Sequence, residues 1–287
     1  MLPVAMLIGG VGYPFFDRLS FLTPYLIFSM LLLTFCKLSF RTIRLTPLHF
    51  WLLIIQIAGS LSVYGLLQFF DPLIAQGTFI CILAPTATAA AVITGMLGGD
   101  VAVLATYSLL SSLSIAVIAP IIFSFLGTHN GMPFIESFLY IFRQVGPLLI
   151  LPFIVAVLLQ KLLPAVHSRL LKIQMLSFYL WVFALAVVTG KTVSFIVRQD
   201  SSNYREEIFI ALFALAACVI QFAIGRRIGR RFQNTISGGQ ALGQKNTSLA
   251  IWMAQVYLNP LASIGPAAYV LWQNIINSWQ LWKKRKK

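Results

Sequence analysis

A chain of 287 residues that is 59% apolar, 10% charged and has a mean hydropathy of +0.88 does not describe a water-soluble domain, in which about 25% of residues are usually charged. Long apolar stretches recur from end to end, which predicts a polytopic membrane protein and leaves no room for a separate catalytic domain. The net charge of +14 would raise nucleic acid as a partner of a soluble protein, but here topology explains it better, and no nucleic acid is expected.

The opening MLPVAMLIGG lacks the basic region of a signal peptide and reads as a first helix. Apolar segments fall roughly at 2–16, 22–40, 48–69, 73–97, 102–127, 140–160, 173–196, 207–225, 235–257 and 260–282. Lys37, Arg41 and Arg44 follow the second; Lys161, Arg169 and Lys172 follow the sixth. Arg226, Arg227, Arg230 and Arg231 separate the eighth and ninth, and Lys283–Lys287 close the chain. Placing all four clusters on one side satisfies the positive-inside rule. The expected protein is therefore multi-pass, in the plasma membrane (the inner membrane of a bacterium), with both termini cytoplasmic and membrane lipid as a partner. The same rule decides the polar run QNTISGGQALGQKNTS at 233–248. An even number of crossings must separate Arg231 from the tail, so this run enters the protein, shielded by other helices.

Ten spans divide into two groups of five, which predicts an all-α fold of two inverted five-helix repeats, residues 1–128 and 129–287, the second with the basic tail. The fourth and ninth helices are interrupted, at Ala84-Pro85-Thr86-Ala87-Thr88 and at Gly238-Gly239-Gln240 to Gly243, and are expected to cross. Pro85 removes a backbone donor; Gly239 and Gly243 weaken helix. Peptide groups freed at such breaks must find partners or line a polar cavity, and helix N-termini there offer partial positive charge to an anion.

Lys245 lies inside the second interrupted segment, where an ionisable group is a functional-site hypothesis by default. Removal from water favours the neutral amine, so proton coupling belongs to this reading. The chain contains no HExxH, no phosphate-binding glycine loop and no Ser/His/Asp grouping at one membrane depth. His49, His129 and His167 are scattered near segment ends, and Cys36, Cys81 and Cys218 read as small buried residues. No enzyme, metal or cofactor is expected.

The stretch LAPTATAAAVITGMLGGDVAVLATYSLLSSLSIAVIAP resembles the fourth and fifth helices of the bile acid:sodium symporter family, whose pattern there is C-P-G-G-T-A-S-N-V-x-T-Y-L-A-x-G-D/N-V-A-L-S. GQALGQKNTSLAIWMAQ is similar to its ninth-helix pattern E-x-G-x-Q-N-x-x-L-A, and LWQNIINSW to its last helix. The resemblance implies a substrate site beside the crossing, with two sodium ions behind it. Carried over residue by residue, it puts Ala90 and Ala91 where relatives have a sodium-coordinating Ser-Asn pair, while Ser108 and Gln56 keep ion-site positions. The acidic position falls on Ala241, or on Gln240 in a shifted register. Asn246 keeps the motif asparagine, and Lys245 takes the glutamine position. Alanine side chains give a hard cation no oxygen and an ammonium repels it, so Lys245, with Gln56 and Ser108, is expected to serve coupling in place of part of the sodium site.

The expected activity is alternating-access transport of a small organic anion or bile-acid-like amphipathic solute, with Thr86, Thr88, Gln240, Gln244, Asn246 and Thr247 supplying polar contacts. Sodium remains open as a coupling ion. The alternatives are a sodium-coupled symporter with a single ion site, a channel, which would pass ions without saturable uptake, and a sensor, which would bind without flux.

Overall fold

The computed structural model describes residues 2–37, 43–87, 89–126, 133–198 and 204–286. Fourteen α-helices lie among the described residues, in chain order: α1 (Leu2–Val11), α2 (Tyr13–Arg18), α3 (Thr23–Cys36), α4 (Pro47–Leu67), α5 (Pro72–Leu83), α6 (Ala90–Leu97), α7 (Val101–Leu126), α8 (Phe134–Leu162), α9 (Pro164–Lys172), α10 (Gln174–Arg198), α11 (Tyr204–Arg231), α12 (Thr235–Gly243), α13 (Thr247–Tyr257) and α14 (Ile264–Arg285). The chain is a polytopic all-α membrane protein.

The expectation of ten spans in two inverted repeats is corrected. Among the described residues five helices are long and apolar enough to cross a bilayer: α4, α7, α8, the Leu176–Arg198 part of α10, and α11. No internal repeat is seen among the described residues. The reason is helix length. A crossing needs about 20 residues, whereas α5 has 12, α6 has 8, α12 has 9 and α13 has 11. Hydropathy sums apolar residues across a break and so overcounts spans; α5 alone reaches about 18 Å at 1.5 Å per residue. The 22-residue α14 is long enough, but it carries Gln273, Asn274, Asn277 and Gln280 ahead of Lys283, Lys284 and Arg285.

The chain forms two compact units. The first comprises Met1–Thr42, Ser112–Gln199 and Val256–Leu258. In it α1 and α2 pack on α10, and α3 packs between α8 and α10. Close approach of α1 to α10 needs Gly9, where a Cβ would fall on the carbonyl group of Ala186. Asp17 accepts from Ser194 Oγ at 2.9 Å and pairs with Arg198 at 3.0 Å. His167 Nε2 lies 2.9 Å from the Cys36 carbonyl at the end of α3. Tyr257 donates to Gln144 at 2.8 Å and stacks on Phe123.

The second unit comprises Ile43–Ser111, Asp200–Gln255 and Asn259–Lys287. Its helix starts are set by local chemistry. Thr46 caps α4 in a box with His49: the Thr46 amide donates to Nδ1 at 2.9 Å, which leaves Nε2–H to donate to the Val103 carbonyl at 3.0 Å. Asp71 Oδ1 accepts from the amides of Leu73 and Ile74 ahead of α5, and Asp100 Oδ1 from those of Ala102 and Val103 in α7. Gly98, at φ 83°, closes α6 in the left-handed region that glycine adopts without strain.

The tightest packing in this unit joins α11 to α12. A Cβ at Gly225 or Gly229 would strike the backbone of Gly238 or Asn234, and one at Gly243 would strike the Phe222 ring. Small residues spaced by four let two helix backbones touch, as in membrane helix pairs generally. Burial follows: every residue from Ser237 to Ala254 is buried.

Candidate functional site

Two helix breaks within the second unit meet. The first, between α5 and α6, contains Pro85; the second, between α12 and α13, is Gln244–Asn246. They pair as a short antiparallel bridge between Thr86 and Lys245. The Ala87 amide donates to the Gln244 carbonyl at 3.0 Å, and the Asn246 amide to the Pro85 carbonyl at 2.8 Å. Thr86 Oγ1 adds a 2.8 Å bond to the Ala241 carbonyl. Peptide groups that lose helical partners at one break thus find them at the other, as a water-excluded backbone requires.

The C-terminal carbonyls of α5 illustrate how complete this is. A helix end leaves its last carbonyls without intrahelical donors. Here Cys81 accepts from Gln221 at 3.5 Å, and Ile82 from the Lys245 ammonium at 2.8 Å. Leu83 and Ala84 accept from the Gln56 amide at 2.7 and 3.0 Å. Gln56 Oε1 in turn accepts from Tyr107 OH at 2.6 Å and Ser111 Oγ at 3.1 Å, which anchors it to α7.

The second break is held from α14. Gln273 Oε1 accepts from the Lys245 amide at 2.9 Å, and Tyr269 OH donates to the Gly243 carbonyl at 2.9 Å. Gln240 donates to Asn277 and Gln280, and accepts from Gln244. Asn246 Oδ1 caps α13 by accepting from the Leu249 amide at 3.2 Å.

Lys245 is 1% exposed, and its ammonium faces the carbonyl end of a helix; no carboxylate pairs with it among the described residues. The α5 C-terminus carries about half a negative charge, which favours a positive charge at the position the Lys245 side chain occupies. Beside it, at the N-terminus of α13, the hydroxyls of Thr247 and Ser248 are buried and have no hydrogen-bond partner among the described residues.

Of the residues singled out from sequence, Pro85, Thr86, Gln244, Lys245 and Asn246 form the breaks, Thr247 begins α13, and Gln56 braces α5. Gln240 lies one turn before the second break and bonds toward α14. Gly239 lies inside α12 and Gly243 is its last residue, so the interruption begins just beyond them. Ser108 is half-buried on α7, and none of the bonds to the breaks described above involves it. Thr88, His129 and the 128/129 boundary lie outside the described residues. Sequence reading missed Tyr107, Ser111, Tyr269 and Gln273. One signal was available: Gln273, Asn277 and Gln280 recur at helical spacing and put three amides on one face of α14.

No family model matches this chain, and no curated protein matches it. It is a multi-pass α-helical membrane protein whose make-up is compatible with some kind of transporter.

Proposed function

We propose that the chain is a secondary transporter of small organic anions or amphipathic anionic solutes, with Lys245 as a fixed positive charge at the joined helix breaks. The observation that carries this reading is the bond from the Lys245 ammonium to the Ile82 carbonyl. A lysine held at a helix C-terminus, with no carboxylate beside it among the described residues, supplies the charge that a coupling cation supplies elsewhere. It also leaves the positive end of α13, with its unpartnered Thr247 and Ser248 hydroxyls, as donors for an anion. The motif resemblance to the bile acid:sodium symporters supports the same class, and the basic clusters support cytoplasmic termini.

Counterflow of radiolabelled cholate in proteoliposomes tests the reading, with sodium and proton gradients applied separately. Saturable uptake that needs no sodium and is lost in Lys245→Ala is expected. Sodium-dependent uptake unchanged by Lys245→Ala would sink the role of Lys245. Ion currents without saturable uptake would favour a channel, and ligand binding without flux a sensor.

A further inference from the structure

The second unit holds an apolar cleft of about 320 Å³ beside the helix-break junction, with which it shares Gln56, Ile82 and Gln221. It lies between α4, α5 and α11 and is closed at its inner wall by Ile82 and Leu242. No charged residue lines it among the described residues. Its polar residues turn their donors elsewhere: Gln56 to α5, Thr78 to the Ile74 carbonyl, and Gln221 to Tyr269 OH at 3.0 Å.

Three observations bear on what would suit the space. Its outer wall includes Leu66 and Ile220, which are 66% and 53% exposed. Both belong to membrane-spanning helices, and only 17% of the most apolar window of α4 is buried. The cleft therefore opens toward hydrocarbon. Water does not suit it, because a buried water needs two to four polar partners, and the one unpartnered buried side-chain atom among its lining residues is Gln221 Oε1. That assignment is fixed by the network: Tyr269 OH spends its proton on Gly243, so only the amide nitrogen of Gln221 can face it. Finally, a Cβ added at Gly59 would meet nothing within 4 Å. Glycine weakens a helix interior relative to alanine, and here no protein group occupies the room it leaves.

We propose that this cleft binds one acyl chain of a membrane lipid, which enters from the bilayer between α4 and α11. An anionic solute finds no cation there, so the cleft is separate from the transport site proposed above. The chain would rest against Ile82, whose carbonyl holds the Lys245 ammonium, and so would brace the junction from its lipid side.

The test uses the full chain in phosphatidylcholine vesicles in which a small fraction of the lipid carries a diazirine in one acyl chain, with adducts mapped by fragment mass spectrometry. Label concentrated on Gly59, Val63 and Ala217, above the more exposed Leu61 and Ile208, is expected. Filling the cleft by Gly59→Phe should cut that label roughly tenfold and leave label on Leu139 unchanged; Ala217→Phe serves as a second filling variant, and melting reports folding. Label spread in proportion to exposure in the native protein would overturn the proposal by itself, as would label that survives in either filled variant. If neither variant folds, the native label map decides.

Discussion

The ammonium of Lys245 donates a 2.8 Å hydrogen bond to the carbonyl oxygen of Ile82, so a charge carried by one helix break closes the open end of the other helix. Both partners are buried, at 1% and 8% exposure. The bond satisfies an orphan carbonyl and places positive charge against the negative end of α5, two effects with the same sign.

Reversing this charge should be far worse than neutralising it. Lys245→Met keeps the stem volume and leaves the Ile82 carbonyl unpaired, a loss of about 1–3 kcal/mol offset by the desolvation no longer required. Lys245→Glu sets a carboxylate against carbonyl oxygens and should cost about 3–5 kcal/mol more. Thermal melting of the purified variants checks the order. Equal melting temperatures would contradict the placement of the ammonium.

Gln56 is a brace with four bonds, and Gln56→Leu removes them all. The carbonyls of Leu83 and Ala84 lose a donor, while Tyr107 and Ser111 lose an acceptor. Unpaired buried groups cost about 1–3 kcal/mol each, so denaturant or thermal unfolding should show a loss of several kcal/mol. Tyr107→Phe, which removes one of the four bonds, should cost less than half as much.

Two glycines should respond in opposite ways to the same change. Gly225→Ala puts a methyl on the Gly238 backbone and should separate α11 from α12, costing more than about 2 kcal/mol. At Gly65 on α4 a Cβ meets nothing, so Gly65→Ala should raise stability by up to about 1 kcal/mol. Melting of the two single variants side by side tests the pair.

The ion pair between Asp17 and Arg198 should matter little, since the arginine side chain is 70% exposed. Arg198→Ala should change stability by less than about 1 kcal/mol. Ser194→Ala removes a bond from a residue only 2% exposed and should cost more.

What could be read from sequence was mostly local. Pro85 declares the first helix break because backbone chemistry is a short-range property, whereas the second break, expected at Gly238 to Gly243, lies just beyond them at Gln244–Asn246. Lys245 stood out because the sidedness of the basic clusters carries its polar run into the membrane; its partner did not, since a carbonyl oxygen leaves no mark in the residue code. Gly239 and Gly243 read as breakers, yet they sit within α12 because their role is fixed by Gly225, Gly229 and Phe222 on another helix. The span count failed for a related reason. Residues 73–97 are mostly apolar, so a hydropathy average counts them as one span, although the break at Pro85 leaves helices of only 12 and 8 residues.

The burial of Ser237–Ala254 has a consequence for how the protein is made. A segment that shows no face to lipid has no tendency of its own to leave an insertion channel sideways, and this one also carries glutamine, lysine and asparagine. It can enter the membrane only onto a docking surface that exists before it. The α4–α5 pair and the glycine face of α11 are made earlier in the chain, whereas the amides of α14 are made later. Assembly is therefore in two stages: the segment docks on helices already made, while the Gly243 carbonyl, the Lys245 amide and the Gln240 side chain gain their partners only when α14 follows.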